Sequence, residues 1–273
     1  MKKFEGMLFC TDLDGTLYAD DKTVSRENLE AIEYFKSEGG TFTFITGRVP
    51  KTAVSICELI RPNAPYGCIN GAGIYDPACE KYLWNIFLPH EALELVHDVD
   101  ASLPEIGIQL NTEKDLYFYK DNAALVRFRA RIGLPKKYCD INDVRERILK
   151  ILFAHEDDGQ IRQLKEFLAA HPKAEKFDFI QSERTLYEIL PKGASKGVAL
   201  GKMAELLEID MAKTVAVGDY YNDISMLKVA KLGFAVANAV EAAKEAADHV
   251  VASNNEHAIA KIIDGLDSGI FSL

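Results

Sequence analysis

The chain has 273 residues, 48% of them hydrophobic, enough for one large domain or two. Its 32 Lys and Arg against 42 Asp and Glu leave a formal charge of -10 with no basic run, which disfavours a nucleic-acid binder because such proteins carry a positive stripe against phosphates. Five scattered cysteines (Cys10, Cys57, Cys68, Cys79 and Cys139) form no CxxC pair, so no disulfide framework or zinc site is indicated. No apolar run approaches the ~18 residues of a membrane span, and a cytoplasmic protein that does not enter a membrane is expected.

Met7 to Cys10 reads as a short apolar strand, and Gly15 marks a turn, so Asp12 and Asp14 fall at the strand's carboxyl end. Ser25 suits an N-cap. Leu29, Ile32 and Phe35 follow at helical spacing, and Gly39-Gly40 ends that helix. "TFTFITGR" predicts a second strand ending at Thr46, a helix runs through Val54 and Leu59, and "YGCINGAGIYD" predicts a third strand and turn. Such β-α-β-α-β alternation implies a parallel sheet with right-handed crossovers.

From about Leu83 the texture changes: helices at "HEALELVHDV", "AALVRFRA" and "GQIRQLKEFLAA" mix with strands at "LYFYK" and "KFDFIQ", which implies an α+β insertion. At Ser195 alternation resumes, with helix "KGVALGKMAELLEI", strand "TVAVGD", helix "DISMLKVA", strand "GFAVAN", helix "VEAAKEAA", strand "HVV" and a final helix near "EHAIAKIID". The fold class read from this order is α/β: a Rossmann-like, doubly wound parallel-sheet core from residues 1–82 and 192–273, with an α+β cap domain over 83–191 inserted.

Chemically capable residues collect at the predicted carboxyl ends of strands: Asp12 and Asp14, then Thr46, then Asp219. In an open parallel sheet that edge is where ligands bind. Lys196 opens a helix whose N-terminus favours an anion. Carboxylates, a hydroxyl, a lysine and helix-end amides together suit a hard cation and a phosphate. Gly71-Ala72-Gly73 lacks the third glycine of a dinucleotide fingerprint and reads as a hinge leading to the insertion; no GxxxxGK[ST] is present, and the histidines show no ligand spacing.

"DLDGT", "TGR", "SKG" and "GDYYND", in this order, resemble the motifs of the haloacid dehalogenase superfamily, and the insertion is similar to the large α/β cap of its Cof-type sugar-phosphatase branch. "NGA" at 70–72 and "ISML" at 224–227 add to the likeness. The resemblance implies a Mg²⁺-dependent phosphatase in which Asp12 is the nucleophile and forms an aspartyl-phosphate, while Asp14 serves as general acid and then base. It also implies that Asp12, the backbone carbonyl of Asp14, Asp219 and Asp223 make the Mg²⁺ site, and that Thr46, Gly47, Lys196 and Asn222 cradle the phosphate. Because dehalogenases of the family lack a second aspartate at position 14, Asp14 favours ester hydrolysis.

Two departures stand out. Tyr220 and Tyr221 follow Gly-Asp where the family has Asn, and "VAN" at 236–238 replaces Met-Gly-Asn, leaving Asn238 as a rim residue or a helix cap. The cap would select the substrate, with Arg48, Asn111, Glu113 and Lys114 as guessed contacts. Expected substrates are small phosphorylated metabolites, sugar phosphates first, with flavin mononucleotide and pyridoxal phosphate also plausible. The partners expected are that metabolite and no nucleic acid or membrane, in a monomer or small homo-oligomer. Alternatives are a phosphotransferase or mutase using the same aspartyl-phosphate, and a non-catalytic phosphometabolite-binding protein.

Overall fold

Strand β1 (Leu8–Thr11) is buried at every position, the environment its apolar sequence demands. The computed structural model describes residues 2–133 and 136–273. Helix α1 (Arg26–Ser37) begins where the Ser25 hydroxyl accepts from the Asn28 amide, buries Ile32 and Phe35, and is followed by Gly39 at φ 88°. Strand β2 (Thr41–Phe44) then pairs parallel with β1, putting Phe42 beside Phe9 with ring centroids 5.2 Å apart. Helix α2 (Val54–Ile60) leads to strands β3 (Tyr66–Cys68), β4 (Gly73–Asp76) and β5 (Lys81–Asn85).

The third strand differs from expectation. β3 touches the preceding strand's extension through a single parallel bridge, Ile45 to Gly67, and then turns back into an antiparallel meander with β4 and β5. The reversal comes from Ile69, Asn70 and Gly71, which all have positive φ. The stretch at 71–73, expected to lead into the insertion, is therefore a tight turn with two more strands after it.

The chain next forms α3 (Ala92–Ser102), β6 (Gly107–Thr112), β7 (Leu116–Lys120), α4 (Ala123–Ile132), β8 (Ile148–Ala154), α5 (Asp158–Ala169), β9 (Phe177–Glu183) and β10 (Leu186–Pro191). The strands make an antiparallel sheet in the order β7-β6-β8-β10-β9. On one face Ile108, Leu110, Ile151, Phe153 and Ile189 pack with Leu95, Val99, Leu164 and Leu168 of α3 and α5. The opposite face mixes apolar Leu152 with a buried polar group: Lys150 and Glu188 pair at 2.8 Å, and the Gln109 amide donates to Asn111 at 2.9 Å.

Alternation returns with α6 (Lys196–Leu206), β11 (Thr214–Gly218), α7 (Ile224–Val229), β12 (Leu232–Val236), α8 (Glu241–Ala246), β13 (His249–Val251) and α9 (Ala258–Asp267). The parallel sheet has the order β13-β12-β11-β1-β2. The chain thus folds as two compact units: Met1–Asn85 with Ser195–Leu273, holding the parallel sheet, and Ile86–Ala194, holding the antiparallel one. From β1 the chain winds one way to β2, and from β11 it winds the other way through β12 to β13, so strand order reverses between β1 and β11. That reversal opens a crevice at the strands' carboxyl ends. Among the described residues no helix is long and apolar enough to cross a membrane.

In the second unit, Asp100 on α3 accepts from the Tyr119 hydroxyl at 2.8 Å and pairs with the Lys120 ammonium. Partial burial works against the carboxylate, but the hydrogen bonds from Lys120 and Tyr119 outweigh it and hold Asp100 below its ordinary 3.8. A depressed folded value stabilises the fold above the unfolded one and ceases to as pH falls through the folded one. Asp100→Asn should therefore cost about 1 kcal/mol near neutrality, with the difference vanishing as pH drops below 3.8. Urea denaturation of the full chain across that range checks this; a difference independent of pH would contradict it.

Candidate active site

The crevice between β1 and β11 receives side chains from loops far apart in sequence. Asp12 follows β1 directly, its amide donating to Val217 of β11 at 2.8 Å. Asp219 follows β11. Gly15, at φ +86°, lets the first loop pass so close that a Cβ there would lie 2.5 Å from Asp219 Oδ2. Thr16 Oγ1 donates to Asp219 Oδ1 at 2.7 Å, tying the two loops together.

Lys196, the first residue of α6, is wholly buried, and its ammonium lies 2.6 Å from Asp12 Oδ1 and 2.6 Å from Asp223 Oδ1. Ser195 caps the helix that presents it, and Gly197 donates its amide to Ser225 Oγ at 3.0 Å, pinning α6 to the first turn of α7. The second oxygen of Asp223 accepts from the amides of Asp219 and Tyr220, both at 2.9 Å. Asp223 therefore braces its own loop while holding the lysine.

Asp12, Asp219 and Asp223 each offer a ligand atom, all within 4.8 Å of one another. With all three carboxylates ionised beside Lys196, the cluster carries a net charge of -2. Burial, together with the neighbouring carboxylates, pushes Asp12 up to about 7 against the opposing pull of Lys196, and burial with Asp223 and Asp12 pushes Asp219 up to about 8. Burial alone would lower the Lys196 pKa; Asp12 and Asp223 outweigh it and raise it. An all-oxygen donor set short of two positive charges fits a hard divalent cation.

Asp14 stands apart from this trio. Its carboxylate, about a third exposed, lies in the fork of Arg48, which donates through Nε at 3.0 Å and Nη2 at 2.9 Å, with Lys22 3.4 Å away. Arg48 in turn lies over the Tyr18 ring, 5.2 Å from its centroid. Arg48, a guessed substrate contact, holds Asp14 in this structure.

Thr46 is buried, and its hydroxyl accepts from the Arg48 amide at 3.2 Å. Gly47 approaches Asn70 so closely that a Cβ would lie 2.9 Å from Asn70 Oδ1, and the same oxygen accepts from Asn222 Nδ2 at 2.9 Å. Thr46, Gly47 and Asn222, three of the four cradle residues expected from sequence, thus meet at Asn70, which no expectation gave a role. Its signal was the "NGA" tripeptide. Thr16 was likewise overlooked although it stands inside "DLDGT".

Tyr220 serves its loop through its backbone amide, and its ring meets Tyr221 edge-on at 5.0 Å, so the departure from Asn leaves the Asp223 brace intact. Asn238 neither caps a helix nor joins the trio: its Nδ2 donates to the Gly15 carbonyl at 2.8 Å and its Oδ1 accepts from the Asn254 amide at 2.9 Å. In the second unit Asn111 is buried, Glu113 is paired with Arg147 at 2.7 Å, and Lys114 is exposed.

Residues 9–263 match the haloacid dehalogenase-like hydrolase family. The chain belongs to it. It is similar to two Bacillus subtilis proteins: 5-amino-6-(5-phospho-D-ribitylamino)uracil phosphatase YitU, 24% identical with 94% of this chain and 96% of the relative covered, and phosphatase YwpJ, 28% identical with 95% and 99% covered. Among solved structures, a haloacid dehalogenase subclass IIB sugar phosphatase superposes with a TM-score of 0.84 at 22% identity, covering 97% of this chain and 100% of that one. This member of the haloacid dehalogenase-like hydrolases is a phosphoric monoester hydrolase and falls in the Cof-type branch.

Removing one partner of a buried charge cluster leaves the others uncompensated. Lys196→Met should destabilise the protein by about 3 kcal/mol, and adding Asp12→Asn to it should restore part of the loss. Urea denaturation of the single and double variants checks this, and additive losses would contradict it.

Proposed function

We propose that this protein hydrolyses monophosphate esters of small metabolites through a covalent phosphoryl group on Asp12, with Mg²⁺ as its cofactor. The observation that carries the reading is the cluster itself: a buried carboxylate held by a buried lysine, 2.6 Å away, beside two further carboxylates. Asp12, Asp219 and Asp223, with the Asp14 carbonyl, would hold the Mg²⁺, which when bound offsets negative charge on the phosphoryl oxygens and on Asp12.

Asp12 attacks phosphorus in line, and the bond to the leaving oxygen breaks as Asp14 delivers a proton to that oxygen. Asp14 then takes a proton from water as the water attacks the phosphoryl-Asp12, releasing inorganic phosphate and restoring Asp12. Lys196, the Thr46 hydroxyl, the Gly47 amide and the Asn222 side chain hold the phosphoryl oxygens, where fixed donors act most strongly. The bidentate contact with Arg48 matches the carboxylate form of Asp14, the form that acts as base. Serving as acid requires Asp14 to gain a proton and slip that fork.

Sugar and polyol phosphates are the substrate class we favour, supported by the sugar phosphatase among the structural neighbours and the ribityl phosphate in the names of curated relatives. Flavin mononucleotide and pyridoxal phosphate belong in the same test. Purified protein should hydrolyse p-nitrophenyl phosphate with Mg²⁺ and lose that activity in EDTA. Asp12→Asn should lower kcat by at least about 10³-fold, and a panel of phosphorylated metabolites should show sugar phosphates preferred by kcat/KM. Metal-independent turnover or a fully active Asp12→Asn would refute the mechanism.

A further inference from the structure

The turn after β3 contains a backbone rarity. Ile69, Asn70 and Gly71 are consecutive residues with φ of 56°, 50° and 93°, and Ile69 and Asn70 are both at most 2% exposed. A β-branched residue in the left-handed region is strained, by roughly 1–3 kcal/mol, and persists only where surroundings enforce it. Only glycine, and less readily asparagine, takes this conformation freely.

The surroundings here are three loops at the crevice. The Ile69 amide donates to the Arg48 carbonyl at 2.9 Å and the Asn70 amide to the Thr46 carbonyl at 3.0 Å, fixing the Thr46–Arg48 loop from beneath. Gly71 lies against the backbone that carries Lys196, where a Cβ would sit 2.0 Å from the Ser195 carbonyl oxygen. The Asn70 side-chain oxygen accepts from Asn222 Nδ2 at 2.9 Å, and Asn222 Oδ1, buried, has no partner. One turn therefore touches the segments bearing Thr46 and Gly47, Lys196, and Asn222.

We propose that Asn70 is a positioning residue for phosphate binding. The left-handed turn sets the spacing of those loops, and the Asn70 side-chain oxygen takes one hydrogen of Asn222 Nδ2, which fixes the rotation of that amide so that the second hydrogen of the same nitrogen is the donor offered to the phosphate cradle. The inference rests on the phosphatase reading for its purpose but not for its geometry. The left-handed backbone needs Gly or Asn, and only Asn also supplies an acceptor for Asn222.

That division makes the test. Asn70→Gly keeps the favoured backbone and removes the side-chain amide with its acceptor for Asn222. Inorganic phosphate binding in the presence of Mg²⁺, measured by calorimetry, should weaken by about tenfold to a hundredfold. The Asn70→Gly, Asn222→Ala double variant should be no weaker than Asn222→Ala alone, because Asn70 acts through Asn222. Unchanged phosphate affinity in Asn70→Gly, or losses that add in the double variant, would overturn the proposal. Should Asn70→Gly fail to fold, NMR of the Asn222 side-chain amide in the wild-type protein decides: protons protected from exchange before phosphate is added support the proposal, and a freely exchanging amide overturns it. Wild-type protein that binds phosphate yet releases none from any ester would refute the phosphatase reading and leave this result standing.

Discussion

A buried ammonium between two buried carboxylates organises this molecule's chemistry. Lys196 would be costly to bury alone, as would Asp12 and Asp223, and only together, at 2.6 Å on each side, are they tolerated. Because those residues follow β1, open α6 and precede α7, the charge cluster also fixes where these elements end. The fold and the site are thus one constraint, and the parallel sheet supplies it by reversing strand order between β1 and β11.

The first unit concentrates multiple uses in single residues. Asp223 holds Lys196 with one oxygen and two backbone amides with the other, so its loop keeps its shape whatever side chains stand at 220 and 221. Thr16 joins the β1 and β11 loops, and Asn238 and Asn254 secure the first of them from outside through the Gly15 and Tyr18 carbonyls. Each bond is modest, about 1 kcal/mol, but together they preorganise donors before any phosphate arrives, which is where such sites gain most of their rate.

Much of this was legible in the chain. Asp12, Asp14, Thr46 and Asp219 were placed by strand ends and Lys196 by a helix start, because apolar runs, caps and glycine turns are local signals. The antiparallel return of β4 and β5 was not legible: it follows from three left-handed residues, and Ile69 gives no hint of that conformation. Strand β8 hides in "ILKILFA", where Lys150 interrupts the apolar run and pairs with Glu188, thirty-eight residues away. The pairing of Arg48 with Asp14 was likewise not legible, since it is a contact between loops and no spacing encodes it.

The most direct test of the account is to find the phosphoryl group on the protein. p-Nitrophenyl phosphate with a radiolabelled phosphoryl group, whose leaving group departs without an acid, mixed with Asp14→Asn protein and Mg²⁺ and quenched in acid, should leave label on the peptide containing Asp12, because the variant lacks the base for the second step. Label on any other side chain, or hydrolysis by wild-type protein with no label retained at any time in either protein, would contradict it.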